Sequence, residues 1–112
     1  KYKNVYAADW MDYDFINEAG LIVNTTSLGM IGYPSLPIQL KDTSRDLKVY
    51  DIVYNPMNTE FIIEAKKRRL QFVNGLSMFL GQAEKSFNIW FKKKPDINKA
   101  LVKLIEKKLK AV

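Results

Sequence analysis

Three short stretches carry residue types suited to holding a ligand. The first is "NTTSLGM", Asn24 to Met30, directly after the apolar run Leu21-Ile22-Val23. It supplies an amide, three hydroxyls, a glycine and a thioether. The second is Tyr54-Asn55-Pro56, and the third is Asn74-Gly75. Each follows an apolar segment. Small polar residues at such points can hydrogen-bond a ligand lying across the end of a strand. Ordinary turns use the same residue types, so spacing alone leaves both readings open. After Gly75, a neighbouring stripe of one helix collects Gly75, Met78 and Gln82, at i, i+3 and i+7. Glycine permits close backbone approach to a ligand, methionine offers a soft apolar wall, and glutamine offers a donor and an acceptor. On spacing alone, Gln82 reads rather as a polar residue at the edge of a helix face.

The elements that must position these residues follow from pattern. Val5–Ala8 reads as a short strand, and Met11–Ala19 as a short helix with Asp12 as N-cap. Leu21–Asn24 is a continuous apolar run, as in a strand covered on both faces. Gly32, Pro34 and Pro37 mark a loop. Leu47–Asn55 is rich in β-branched and aromatic residues and stops at Pro56. Thr59 caps a helix whose inner face is Phe61, Ile62 and Ala65. "LQFVN" is a third, short strand. A long helix follows Gly75, with Leu76, Phe79, Leu80, Ala83, Phe87 and Trp90 as its core stripe. A last helix begins near Pro95-Asp96. Alternating strands and helices imply an α/β fold with a parallel sheet of about three to four strands, followed by two C-terminal helices. There is no internal repeat and no low-complexity segment.

Composition narrows the chemistry. The 112 residues contain neither cysteine nor histidine, which removes disulfides, Cys/His zinc sites and histidine-based triads. Net charge is +6, and residues 92–112 hold all of the excess, with eight lysines against two acids. Ile97, Ala100, Leu101, Leu104, Ile105 and Leu109 recur there at helical spacing. The tail thus reads as an amphipathic helix with a solvated lysine face. No aromatic–basic array points to nucleic acid, and no apolar run of 18 residues points to a membrane. The start, "KYKNVYAADW", lacks the apolar core of a signal peptide, so the expected location is cytoplasmic. It also enters strand-like sequence at once, as a piece of a longer polypeptide would.

"AGLIVNTTSLGM", "DIVYNPMNTEFIIEAKKR" and "NGLSMFLGQAEKSFNIW", with the closing "PDINKAL", resemble the C-terminal half of the shikimate dehydrogenase family. The family pattern is a strand ending in NTTPxGM, then D-(I/L/V)-V-Y-N-P with a threonine three residues on, then (N/D)-G-x-x-M-L-x-x-Q-A. These motifs occur in order over most of Ala19 to Trp90. The resemblance implies interconversion of 3-dehydroshikimate and shikimate with NADPH, in a cleft between two domains. It makes residues 1–91 the second half of a Rossmann-like NADP-binding domain and residues 92–112 a C-terminal amphipathic helix. It implies substrate contacts for Tyr54 and Gln82. It implies cofactor contacts for Asn24, Thr25, Thr26, Ser27, Met30, Ile52, Gly75 and Met78. Gly75→Val is then expected to harm NADP binding more than folding.

Departures from the pattern are Ser27 for proline, Ser77 for glycine, Gly20 for aspartate, and Arg69 where a helix-ending glycine is frequent. The resemblance places the catalytic lysine and aspartate in an N-terminal substrate domain, and this chain holds no match to them. It also holds neither the G-x-G-x-x-G phosphate turn nor the basic segment that receives the 2′-phosphate. No catalytic residue is therefore assigned within the chain, and it is expected to be inactive alone. Asp51, beside Tyr54 in sequence, reads as structural rather than as an acid or base. Rival readings are an NAD-using quinate/shikimate dehydrogenase and a non-catalytic nucleotide-binding module. Without the substrate domain as a partner, the apolar stripe of residues 97–109 is expected to be left partly bare. Self-association as a homodimer, or disorder of that helix, would follow.

Overall fold

The structure is a computed structural model that describes residues 2–110. Its centre is a parallel sheet of three strands, β1 (Leu21–Asn24), β2 (Lys48–Asp51) and β3 (Gln71–Val73), side by side in that order. Leu21 pairs with Lys48 and Lys48 with Gln71, so the strands start level and their carboxyl ends share one rim. Helix α1 (Tyr13–Glu18) precedes β1, α2 (Glu60–Lys67) joins β2 to β3, and α3 (Leu76–Phe91) and α4 (Lys99–Lys110) follow.

Local chemistry explains most boundaries. β2 stops at Asp51 because the ladder to β1 ends at the next amide and the one after it turns back to the Asp51 side chain. The Ile52 N–H donates to the Asn24 carbonyl (3.2 Å) and the Val53 N–H to Asp51 Oδ1 (3.0 Å). Thr59 Oγ1 accepts from the Ile62 N–H (3.2 Å) and caps α2. At the other end of α2, the Arg69 N–H donates to Lys66 O (2.9 Å) and the Leu70 N–H to Ala65 O (3.0 Å). This pair of bonds calls for a left-handed residue after the helix, and Arg69 adopts it, with φ 57°. Arginine there costs about 1 kcal/mol relative to glycine. α4 begins only at Lys99 because Asn98 Oδ1 accepts from the Leu101 N–H (2.9 Å), as an N-cap does.

The main core lies on one sheet face. Val49 packs with Leu40, Leu47, Phe61, Ile62, Ala65 and Leu70. Phe61, Ile62 and Ala65 are the inner face of α2 that the sequence pattern predicts. A second cluster joins Met57, Leu76 and Leu80 with Ile97, Val102, Ile105 and Leu109, so α4 packs on the start of α3.

Four expectations are corrected. Val5–Ala8 is not a strand, and no ladder partner lies beside it among the described residues. Asp12 precedes α1 but makes no side-chain capping bond. β1 is not covered on both faces, because every described helix of the main core sits on one side and Leu21 and Val23 point to the other, 57% and 39% exposed. On α3 the stripe is buried only at Leu76 and Leu80, with Phe79 half-buried, whereas Ala83, Phe87 and Trp90 are exposed. A helix of 16 residues runs about 24 Å, and its distal turns outreach the layer it rests on. The apolar stripe of α4 is left partly bare: Ile97, Ile105 and Leu109 are packed against the second cluster, whereas Ala100 and Leu104 are exposed.

Candidate functional site

The carboxyl ends of β1 and β2 open into a cavity of about 520 Å³. Thr25, Thr26, Ser27, Met30 and Ile31 line it from the β1 side, Ile52, Val53, Tyr54 and Asn55 from the β2 side, and Met78 from α3. Residues far apart in the chain converge because the two strands are in register and α3 starts against the β2 exit.

The loop after β1 is built from its own polar groups. Asn24 Nδ2 donates to the Leu28 carbonyl (3.0 Å) and to Asp51 Oδ1 (3.0 Å). Asn24 Oδ1 accepts from the Thr26 N–H (3.0 Å) and Thr26 Oγ1 (2.7 Å), and Thr26 Oγ1 accepts from the Leu28 N–H (3.1 Å). Asn24 is buried and all of its hydrogen-bonding capacity is used internally. It shapes the loop and has no atom left for a ligand. The Thr26 hydroxyl is committed in the same way. Thr25 and Ser27 are exposed, and their hydroxyls bond to no described residue. The loop then turns at Gly29, whose φ of +89° suits glycine, and the Ile31 N–H ties it to the Asn55 carbonyl (3.2 Å). Gly29 passes close to Thr59, where an added Cβ would lie 3.3 Å from two side-chain atoms.

Asp51 links these parts. It is fully buried, and it accepts from Asn24 Nδ2, the Val53 N–H and Thr59 Oγ1 (2.6 Å). One carboxylate thus joins the end of β1, the exit of β2 and the start of α2. The structural reading of Asp51 holds, and with every contact internal it is not placed to exchange protons with a ligand.

Tyr54 is oriented by its stack on Phe79 of α3, with ring centroids 4.3 Å apart and planes 22° from parallel. Asn55 Oδ1 beside the cavity is buried without a hydrogen-bond partner among the described residues. The peptide Asn55–Pro56 is cis.

Besides Asn24, two sequence-predicted residues lie outside the lining. Gly75 does not line the cavity. An added Cβ at Gly75 would lie 1.8 Å from the Ile52 carbonyl oxygen, so the backbone that approaches closely is the strand exit and not a ligand. The expectation that Gly75→Val harms NADP binding more than folding is therefore corrected. Gln82 is exposed one helical turn beyond Met78 and is not part of the lining. Met30, Ile52, Tyr54 and Met78 do meet around one opening, and Ile31, Val53 and Asn55 join them without having been singled out from sequence. Their signal was adjacency to the motif residues.

The lining fits one end of a flat, partly aromatic ligand. Met30, Ile31, Ile52 and Met78 form apolar walls, and hydroxyls stand at the rim. The orphaned acceptor on Asn55 is a polar feature of the same wall. No group of acids capable of holding a metal ion occurs among the described residues, and no described helix is long and apolar enough to cross a membrane.

No family model matches the chain. Individual proteins do. Shikimate dehydrogenase (NADP(+)) of Afipia carboxidovorans is 43% identical over 105 residues, 93% of this chain and 38% of the relative. The enzyme of the same name from Rhodopseudomonas palustris is 46% identical over 93 residues, 83% of this chain and 33% of the relative. Among solved structures, a chorismate mutase/shikimate 5-dehydrogenase fusion protein from Clostridium acetobutylicum superposes with a TM-score of 0.75 at 29% identity, covering 89% of this chain and 39% of that one. Shikimate 5-dehydrogenase of Thermus thermophilus, solved with NADP(H) and shikimate, gives 0.61 at 32% identity over 71% of this chain and 31% of that one. The chain spans about a third of the length of the curated relatives it matches.

Proposed function

We propose, from the premise that this chain belongs to the shikimate dehydrogenase family and matches its C-terminal Rossmann-like part, that it forms the nucleotide-binding wall of an NADP-dependent shikimate dehydrogenase. The reaction is reduction of 3-dehydroshikimate to shikimate, a step of aromatic amino-acid biosynthesis in the cytoplasm. The observation that carries this reading is the cavity at the strand ends, which gathers Thr25, Ser27, Met30, Ile52, Tyr54 and Met78 around one opening.

Bound NADPH would supply the hydride. Met30, Ile31, Ile52 and Met78 would enclose the nicotinamide end and keep water from it. Thr25 and Ser27 would donate to its polar edge. Tyr54, fixed by Phe79, and Gln82, exposed beyond Met78, would orient the substrate where a facing domain closes over them. Proton transfer falls to a lysine and an aspartate on that facing N-terminal domain, which lies outside this sequence. That domain is the partner the chain requires. The uncovered sheet face bearing Leu21, Val23 and Val73 belongs to the same incompleteness, since another part of the nucleotide domain would cover it. We assign no catalytic residue, nucleic acid or membrane to the chain itself.

Two measurements test the reading. In amide NMR spectra of the 112-residue chain, NADP should shift Thr25–Met30, Ile52–Asn55 and Met78 together. Because the 2′-phosphate segment is not in this chain, NAD should bind with similar affinity. Shifts absent from those residues would remove the assignment. In the whole enzyme, Gln82→Ala should lower kcat/KM for 3-dehydroshikimate by about 1–3 kcal/mol in transition-state terms, for a hydrogen bond lost in a closed site. Unchanged kinetics would take Gln82 out of the site.

A further inference from the structure

At the amino ends of β2 and β3, away from the strand-exit cavity, Arg45, Asp46, Leu47, Lys48, Arg69 and Gln71 line a second cleft of about 460 Å³. Three of these residues are cations and one is an anion. Asp46 is the acid of this cleft, and among the described residues it forms no ion pair with Arg45, Lys48 or Arg69. Three cations against one acid leave the cleft with an excess of positive charge, which attracts an anion.

The fold fixes each of the three. Lys48 lies in β2, paired with Gln71 of β3. Arg45 sits in a turn closed by the Leu47 N–H on the Ser44 carbonyl (3.3 Å) and the Asp46 N–H on Ser44 Oγ (3.2 Å). Arg68 pins the base of that loop, with its guanidinium donating to the carbonyls of Leu40 and Thr43 and to Thr43 Oγ1. Arg68 is thereby committed, while the side chain of its neighbour Arg69 has no hydrogen-bond or ion-pair partner among the described residues.

Arg69 is the telling residue. It holds the left-handed position that closes α2, where glycine is unstrained. Complementing the helix dipole does not require a cation there, because Lys66 and Lys67 already stand in the last turn. The strain is borne by a side chain whose planar fork suits phosphate oxygens.

We propose that this cleft binds a small phosphate-bearing anion, held by the guanidinium groups of Arg45 and Arg69 and the ammonium of Lys48, with the Gln71 amide as a further donor. The site is separate from the NADP cavity and independent of the reading given for it.

The test titrates inorganic pyrophosphate into the 112-residue chain at low ionic strength, followed by amide NMR. Saturable shifts are expected at residues 44–48 and 69–71, and they should weaken severalfold as salt approaches 0.15 M, where the screening length falls to about 8 Å. Arg69→Gly should weaken pyrophosphate binding about tenfold while raising the melting temperature of the free chain by about 4 °C, through release of backbone strain. Arg45→Gln should weaken binding without that rise, and neither variant should alter NADP shifts at Thr25–Met30. Unchanged pyrophosphate affinity in both variants, or shifts confined to the lysine face of α4, would overturn the proposal.

Discussion

Gly75→Ala should destabilise the chain by about 3 kcal/mol or more, although the glycine adopts an ordinary helical conformation, φ −75° and ψ −3°. Backbone freedom is not the reason for glycine here. The reason is space, because an added Cβ would meet the Ile52 carbonyl oxygen at 1.8 Å, its carbon at 2.4 Å and the Val53 carbon at 3.0 Å. These are main-chain atoms at the exit of the central strand, and they have no rotamer by which to withdraw. Nor can α3 shift cheaply, since the Gly75 N–H donates to the Val53 carbonyl (3.0 Å) and Asn74 holds the same junction through Met57 O and the Leu76 N–H. Relief would break that hydrogen bond and lift Leu76 and Leu80 from their cluster with Met57. Gly81 is the internal control. Nothing lies within 4 Å of a Cβ added there, and it is mid-helix, so Gly81→Ala should stabilise by about 1 kcal/mol. Urea unfolding of both variants gives the comparison. Equal stability of Gly75→Ala and the parent chain would contradict the packing described. Because α3 carries Met78 and Phe79, the variant should also lose the cavity wall and the support of Tyr54. Folding and binding then fail together.

That coupling explains what could be read from the sequence and what could not. β1 was legible from three apolar residues in a row, α2 from Thr59 and its inner face, and α3 from the long pattern after Gly75, since each signal is local. Val5–Ala8 has strand-forming residues but no ladder beside it, and propensity without a partner does not make a strand. The outer half of α3 has helical periodicity, yet periodicity names a face without saying whether anything covers it. The clustering of the strand-end motifs followed from parallel topology once the strands were placed in register. The division of labour within "NTTSLGM" did not. Asn24 and Thr26 turn inward while Thr25 and Ser27 stay free, and that depends on Asp51, distant in sequence.

Asp51→Ala is accordingly the second large effect, at about 3–5 kcal/mol. The carboxylate is fully buried and receives three donors, so its removal leaves Asn24 Nδ2, the Val53 N–H and the Thr59 hydroxyl without their acceptor. A buried donor left unpaired costs about 1–3 kcal/mol. The sum falls short of three independent penalties because the Asn24 amide and the Thr59 hydroxyl can turn, whereas the Val53 amide cannot. Asp51→Asn should cost far less, about 1 kcal/mol. Its amide oxygen can still accept from Asn24 and Val53. Its NH₂ can donate to Thr59 Oγ1, which has a second lone pair beside the one taken by the Ile62 N–H. Asp51→Asn keeps both the volume and most of the hydrogen bonding, whereas Asp51→Ala removes both, so the gap between them measures the two losses together. Thr59→Val adds the decisive term. If Asp51 positions the cap of α2, the double variant Asp51→Ala/Thr59→Val should be less destabilised than the sum of the single variants, by about 1 kcal/mol or more. Simple additivity would mean that the cap and the strand exit are independent.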